Sequence, residues 1–113
     1  RLYMNIHASG LTSLHGDAQE KDWSGWSHLV FEAEWGASTD LLLGVRIDNA
    51  LEPKKRLNLE VALKPGSQMA VVALPDYAEA RKVLQKTGQI VLYALDPGAG
   101  AVLRLDNLRL ERR

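Results

Sequence analysis

Apolar and polar residues alternate with a period of two over most of the chain. Leu2, Met4 and Ile6 alternate with Arg1, Tyr3, Asn5 and His7. Leu29, Phe31, Ala33 and Trp35 alternate with His28, Val30, Glu32 and Glu34. Leu41, Leu43, Val45 and Ile47 alternate with Leu42, Gly44, Arg46 and Asp48, and Leu57, Leu59, Val61 and Leu63 with Arg56, Asn58, Glu60 and Ala62. Successive strand residues point to opposite faces, so each run predicts a strand with one buried and one wetter face. Residues 68–74 and 89–95 are apolar on both faces, which predicts inner strands, and a seventh run covers residues 101–110. Seven strands in 113 residues predict an all-β antiparallel sandwich or barrel.

The punctuation agrees. Lys64-Pro65-Gly66-Ser67 and Asp96-Pro97-Gly98-Ala99-Gly100 are turn sequences, and residues 48–53 form a polar connection ending in Pro53. One short helix is predicted near residues 76–87. Asp76 follows Pro75 as its N-cap, Glu79 stands at capping-box spacing, and Gly88 provides the stop. Tyr77, Ala80, Val83 and Leu84 then share the helix face that packs on the sheet. The last strand changes phase: Leu103 and Leu105 share one face, Leu108 and Leu110 the other. A bulge near Asp106-Asn107 would bring both pairs to the core; the alternative is a strand buried on both faces along part of its length. Residues 8–26 lack a clear period and read as a long loop with room for a short strand. No repeat, linker or low-complexity segment interrupts the pattern, so residues 1–113 are expected to form a single domain, and the abrupt start at Arg1 looks like a domain cut from a longer protein.

Composition narrows the function. Fourteen Lys+Arg balance fourteen Asp+Glu. A protein that reads nucleic-acid phosphates, or anchors to an anionic membrane, normally carries a basic excess. No apolar run approaches the roughly 20 residues needed to span a bilayer. Cysteine is absent, which removes disulfides, thiolate metal sites and thiol nucleophiles. The histidines His7, His15 and His28 fall in no zinc-binding spacing, and neither a nucleophile elbow nor a phosphate loop occurs. Glu32 and Glu34 share one strand face, where a solvated role is expected rather than a glycosidase pair. The chain is therefore not expected to be an enzyme.

The wet strand faces carry Arg46, Asp48, Arg56, Asn58, Glu60 and Arg104. Planar polar side chains of this kind hydrogen-bond sugar hydroxyls, and aromatic rings stack on sugar C–H faces. If the strands neighbour one another, these residues form one broad polar surface. Trp35, at a strand end before a loop, and Trp23, in the loop before Ser24-Gly25, are the candidate exposed platforms. Trp26 and Phe31 are expected in the core.

Residues 22–33, DWSGWSHLVFEA, resemble a stretch shared by jelly-roll domains attached to polysaccharide-degrading enzymes. LLLGVRID over residues 41–48 is similar to the strand that follows there. Residues 75–80 look like a short helical insertion, and LRLDNLRL over residues 103–110 resembles the closing strand. Together these motifs resemble the galactose-binding-domain-like carbohydrate-binding modules, in particular the accessory domains of agarase-like glycoside hydrolases. The resemblance implies a jelly-roll β-sandwich without catalytic activity, which binds polysaccharide or oligosaccharide on its concave sheet face or at its edge loops. Trp35, Trp23, Arg46, Asp48, Asn58 and Arg104 are then the expected ligand-binding residues. Many relatives hold a structural calcium, and Asp106 matches the position of one of its ligands. The implied partner is the catalytic domain of a parent enzyme, and the implied location extracellular or periplasmic. The alternative is a structural sandwich with no sugar site, which packs on a neighbouring domain or self-associates.

Overall fold

The computed structural model describes residues 12–17, 22–94 and 102–113. Among them the elements run β1 (Thr12–Asp17), β2 (His28–Trp35), β3 (Leu41–Asn49), β4 (Arg56–Leu63), β5 (Gly66–Ala73), α1 (Ala78–Gln85), β6 (Thr87–Ala94) and β7 (Leu103–Glu111). All strand pairs are antiparallel. One sheet has the order β1-β6-β3-β4 and the other β5-β2-β7. The period-two pattern explains the sandwich. The inward rows Leu29, Phe31, Ala33 and Trp35 of β2, Leu41, Leu43, Val45 and Ile47 of β3, and Ile90, Leu92 and Ala94 of β6 belong to one core cluster. Each fully buried Leu, Ile or Phe contributes about 1.5–3 kcal/mol through its removal from water.

The phase slip in β7 is resolved by a bulge. The β2–β7 register shifts between Val30 and Glu32, and Asn107 takes a left-handed backbone with φ 55. Asparagine tolerates that conformation better than most side chains. Beyond it, Leu108 and Leu110 pack against the core that Leu103 and Leu105 help to form.

The short strand for which the irregular stretch 8–26 left room is β1, paired with β6. Three expectations are corrected. Among the described residues strand β5 lies at a sheet edge rather than inside, and its second apolar face, Met69 and Val71, is exposed. Helix α1 starts later than the capping box implies: Tyr77 is the N-cap, without a side-chain cap bond, and is 59% exposed instead of packed on a sheet. Asp76 is drawn off to Arg81, whose Nε donates to it at 2.9 Å. Gly88 does not end the helix but lies in β6, where an added Cβ would come 2.8 Å from Ala50 Cα. Residues 1–7, including His7, and the turn at 96–100 lie outside the described residues.

Helix α1 closes one end of the sandwich with Ala80, Val83 and Leu84 buried. Asn49, at the end of β3, fastens it. Its amide nitrogen donates to the Lys82 and Val83 carbonyls, while its side-chain oxygen accepts from the Leu51 and Glu52 amides. At the same end, Arg81 donates to the carbonyls of Ser24 and Trp26. The Arg112 guanidinium stacks 4.0 Å above the Trp26 ring, and its Nε donates to the Gly25 carbonyl. Asp22 in this loop is held below the usual carboxylate range because the Ser24 hydroxyl and amide both donate to it. Glu111 is lowered in the same way by Arg109 and Arg113.

Candidate functional site

The outer face of the four-stranded sheet is built from the alternate residues of β3, β4 and β6. Strand pairing sets them in rows. Tyr93, Gly44 and Glu60 stand side by side across β6, β3 and β4, and the next row is Val91, Arg46 and Asn58. Asp48 and Arg56 face each other one row further on, and Leu42 and Ala62 flank the Tyr93 row on the other side.

Tyr93 is the aromatic centre of this face. An added Cβ on Gly44 would collide with Cζ, Cε1 and Cε2 of Tyr93 at near-equal distances. That geometry lays the phenol ring over the Gly44 main chain, and Tyr93 itself is half-buried. Glycine in a strand interior is costly unless something approaches the backbone closely, and here the ring does.

Beside it, Arg46 is fixed by Asp48. The guanidinium donates through Nε at 3.0 Å and through a terminal nitrogen at 3.1 Å, a two-point pair. Arg56 Nε stands 3.8 Å from the same carboxylate and donates from a terminal nitrogen to the Pro53 carbonyl. Asp48 is only 5% exposed and lies between the two arginines. It orients them rather than reaching solvent itself. Arg46 keeps further donors, and Asn58 and Glu60 are exposed in the same and the next row. The four charged side chains Arg46, Arg56, Asp48 and Glu60 balance.

Arg46, Asp48 and Asn58 are thus brought together as expected on one face. The other expected ligand residues are not with them. Trp35 is 2% exposed and Trp23 4% exposed, both in the core. Trp35 shares its alternation phase with Phe31, and its indole N–H donates to the Thr39 carbonyl at 2.8 Å, closing the loop after β2. The backbone amide of Trp23 donates to the Leu84 carbonyl, which ties it under α1. Neither can stack on a sugar. Arg104 belongs to the three-stranded sheet, on the opposite side of the sandwich, where it pairs across with Glu34. The expected single polar surface is therefore two surfaces. The second is a shallow groove of about 490 Å³ lined by Glu32, Glu34, Gln68, Met69, Arg104 and Asp106, with no aromatic ring.

Asp106 lies in β7 beside the bulge. Among the described residues no group of three or more His, Cys, Asp or Glu side chains could hold a metal ion. One Asp106 oxygen accepts the Asn107 amide at the bulge. Tyr93 was the residue that pattern reading missed. The run 89–95 looks apolar on both faces, so its tyrosine does not stand out. The signal that would have found it is Gly44, a glycine in the middle of a strand.

No family model matches this sequence, and no curated protein does. Solved structures match the fold. An exo-β-agarase shares it with a TM-score of 0.71 at 12% identity, over 98% of this chain and 19% of that one. The agarase AgWH50C does so with a TM-score of 0.70 at 16% identity, over 94% of this chain and 20% of that one. The family 11 carbohydrate-binding module of the cellulosomal cellulase Lic26A-Cel5E of Clostridium thermocellum matches with a TM-score of 0.66 at 11% identity, over 98% of this chain and 75% of that one. The chain thus has the jelly-roll fold of carbohydrate-binding modules, and it spans about a fifth of the agarases it resembles. No helix among the described residues is long and apolar enough to cross a membrane.

Proposed function

We propose that this domain is a non-catalytic carbohydrate-binding module that takes a polysaccharide chain on the outer face of its four-stranded sheet. The observation that carries this reading is the Tyr93 ring lying flat on Gly44, one row from the Asp48-fixed guanidinium of Arg46. The ring offers a platform for a sugar C–H face, and Arg46, Asn58 and Glu60 supply donors and acceptors for its hydroxyls. The balanced charge of the face suits a neutral polymer. Support at the level of fold comes from the agarases and from a family 11 carbohydrate-binding module from Clostridium thermocellum in complex with a β-1,3-1,4-mixed-linked tetrasaccharide.

An open face buries little of its ligand, so each domain binds modestly. Its benefit is tethering: attached to a glycoside hydrolase outside the cell or in the periplasm, it raises the concentration of the catalytic domain at the polymer. Affinity electrophoresis through agarose and mixed-linkage β-glucan tests the reading. The wild-type domain is retarded by one of these polymers, and Tyr93→Ala loses about tenfold in affinity, ~1.4 kcal/mol, without loss of fold. Equal migration of wild type and Tyr93→Ala in every gel would sink it.

A further inference from the structure

We infer that β4 is an interface through which two copies of this chain pair edge to edge about a twofold axis. Among the described residues β4 is hydrogen-bonded to β3 and to no strand on its other side. A free edge invites another strand unless it is blunted by a bulge, a proline, charged side chains, an inward-pointing charge or a covering segment. The other sheet shows such devices. Strand β7 is broken by the bulge at Asn107. At the start of β5, the Gln68 amide folds back onto the main chain of Lys64. Among the described residues β4 has no bulge, proline, inward-pointing charge or covering segment, and its exposed charges, Arg56 and Glu60, are of opposite sign, so they can pair instead of repel. Its eight residues pair with β3 without a register shift, contain no proline, and point only Leu57, Leu59, Val61 and Leu63 inward. Leu57 and Leu63 are buried, yet Leu59 and Val61 between them are only partly so.

The outward positions read Arg56, Asn58, Glu60, a positive, neutral, negative order. Turned antiparallel, this order is its own complement. With Asn58 opposite the partner's Asn58, Arg56 faces the partner's Glu60 and Glu60 the partner's Arg56. Leu57 then faces the partner's Leu59, twice. Over residues 56–60, the span this register pairs, outward meets outward and inward meets inward. Opposite charges directly across a strand pair are favourable, and a closed twofold contact uses the same patch on both copies. Arg56 is free enough for this, being 37% exposed and engaged from one side by Asp48 and Pro53. The paired sheets form one eight-stranded surface that sets two Tyr93 faces side by side. Only that last consequence depends on the sugar-binding reading.

The test is the mass of the 113-residue chain by sedimentation equilibrium over a concentration series. The wild-type chain shows a monomer–dimer equilibrium. E60R sets arginine against arginine at both contacts and stays monomeric, and R56E sets carboxylate against carboxylate with the same result. Mixing the two variants brings opposite charges together at both contacts, and a dimer returns. Circular dichroism melts confirm that each variant is folded. A wild-type chain that is monomeric throughout, an E60R dimer as strong as wild type, or a mixture that fails to pair would each overturn the proposal. A dimer that binds no polysaccharide would leave the pairing standing and remove the sugar reading instead.

Discussion

The two outer faces of the sandwich have similar polar content and different organisation. On the four-stranded sheet, Arg46 is fixed by a carboxylate that is itself buried, and Tyr93 is seated on a glycine. On the three-stranded sheet, Glu32 stands opposite Asp106, Glu34 opposite Arg104, and the apolar element is the flexible Met69, 51% exposed. A bound sugar orders the groups that hold it, and that ordering costs affinity. The first face has met much of this cost through its own contacts, whereas the second has not. Polar residues in number do not make a site; a polar group held in place beside a rigid ring does.

Gly44→Val breaks the contrast most severely. Its side chain would occupy the space of the Tyr93 ring, so about 1–3 kcal/mol of stability is lost to overpacking, and polysaccharide retention goes with it. Thermal melts and affinity gels measure the two effects together. Arg46→Gln comes next. It removes the fixed donor and leaves Asp48 with Arg56 alone, with an expected loss of about fivefold in affinity, ~1 kcal/mol, readable by titration calorimetry. At the small end, Glu34→Gln combined with Arg104→Gln on the opposite face changes stability by no more than about 0.5 kcal/mol and leaves retention unchanged. A marked loss of retention in that variant would place the sugar in the groove of the three-stranded sheet and reverse the comparison.

Much of this was legible in the sequence. The alternating runs placed β2, β3 and β4 almost to the residue, because a strand with one buried face writes its period directly into the chain. The phase change at Asp106-Asn107 announced the bulge for the same reason. Edge position was not legible: β5 carries apolar residues on both faces, and only the finished sheet shows that Met69 and Val71 stand exposed. The capping box failed because Asp76 found a stronger partner in Arg81, a residue five positions on whose direction depends on the loop at Ser24 and Trp26. The site was half legible. Arg46, Asp48 and Asn58 lie on neighbouring strands and share a face by parity alone. Tyr93 and Gly44 are 49 positions apart, and their contact exists only through the β3–β6 register.

The stacking of Arg112 on Trp26 has an optical consequence. Trp23 and Trp35 are buried in the core, and the third indole of the chain is covered by a guanidinium at the helix end of the sandwich. None of the three belongs to the Tyr93 face. Indole emission from this domain therefore follows its unfolding, and under the proposed reading a glycan on the Tyr93 face leaves it unchanged and is reported by the phenol of Tyr93.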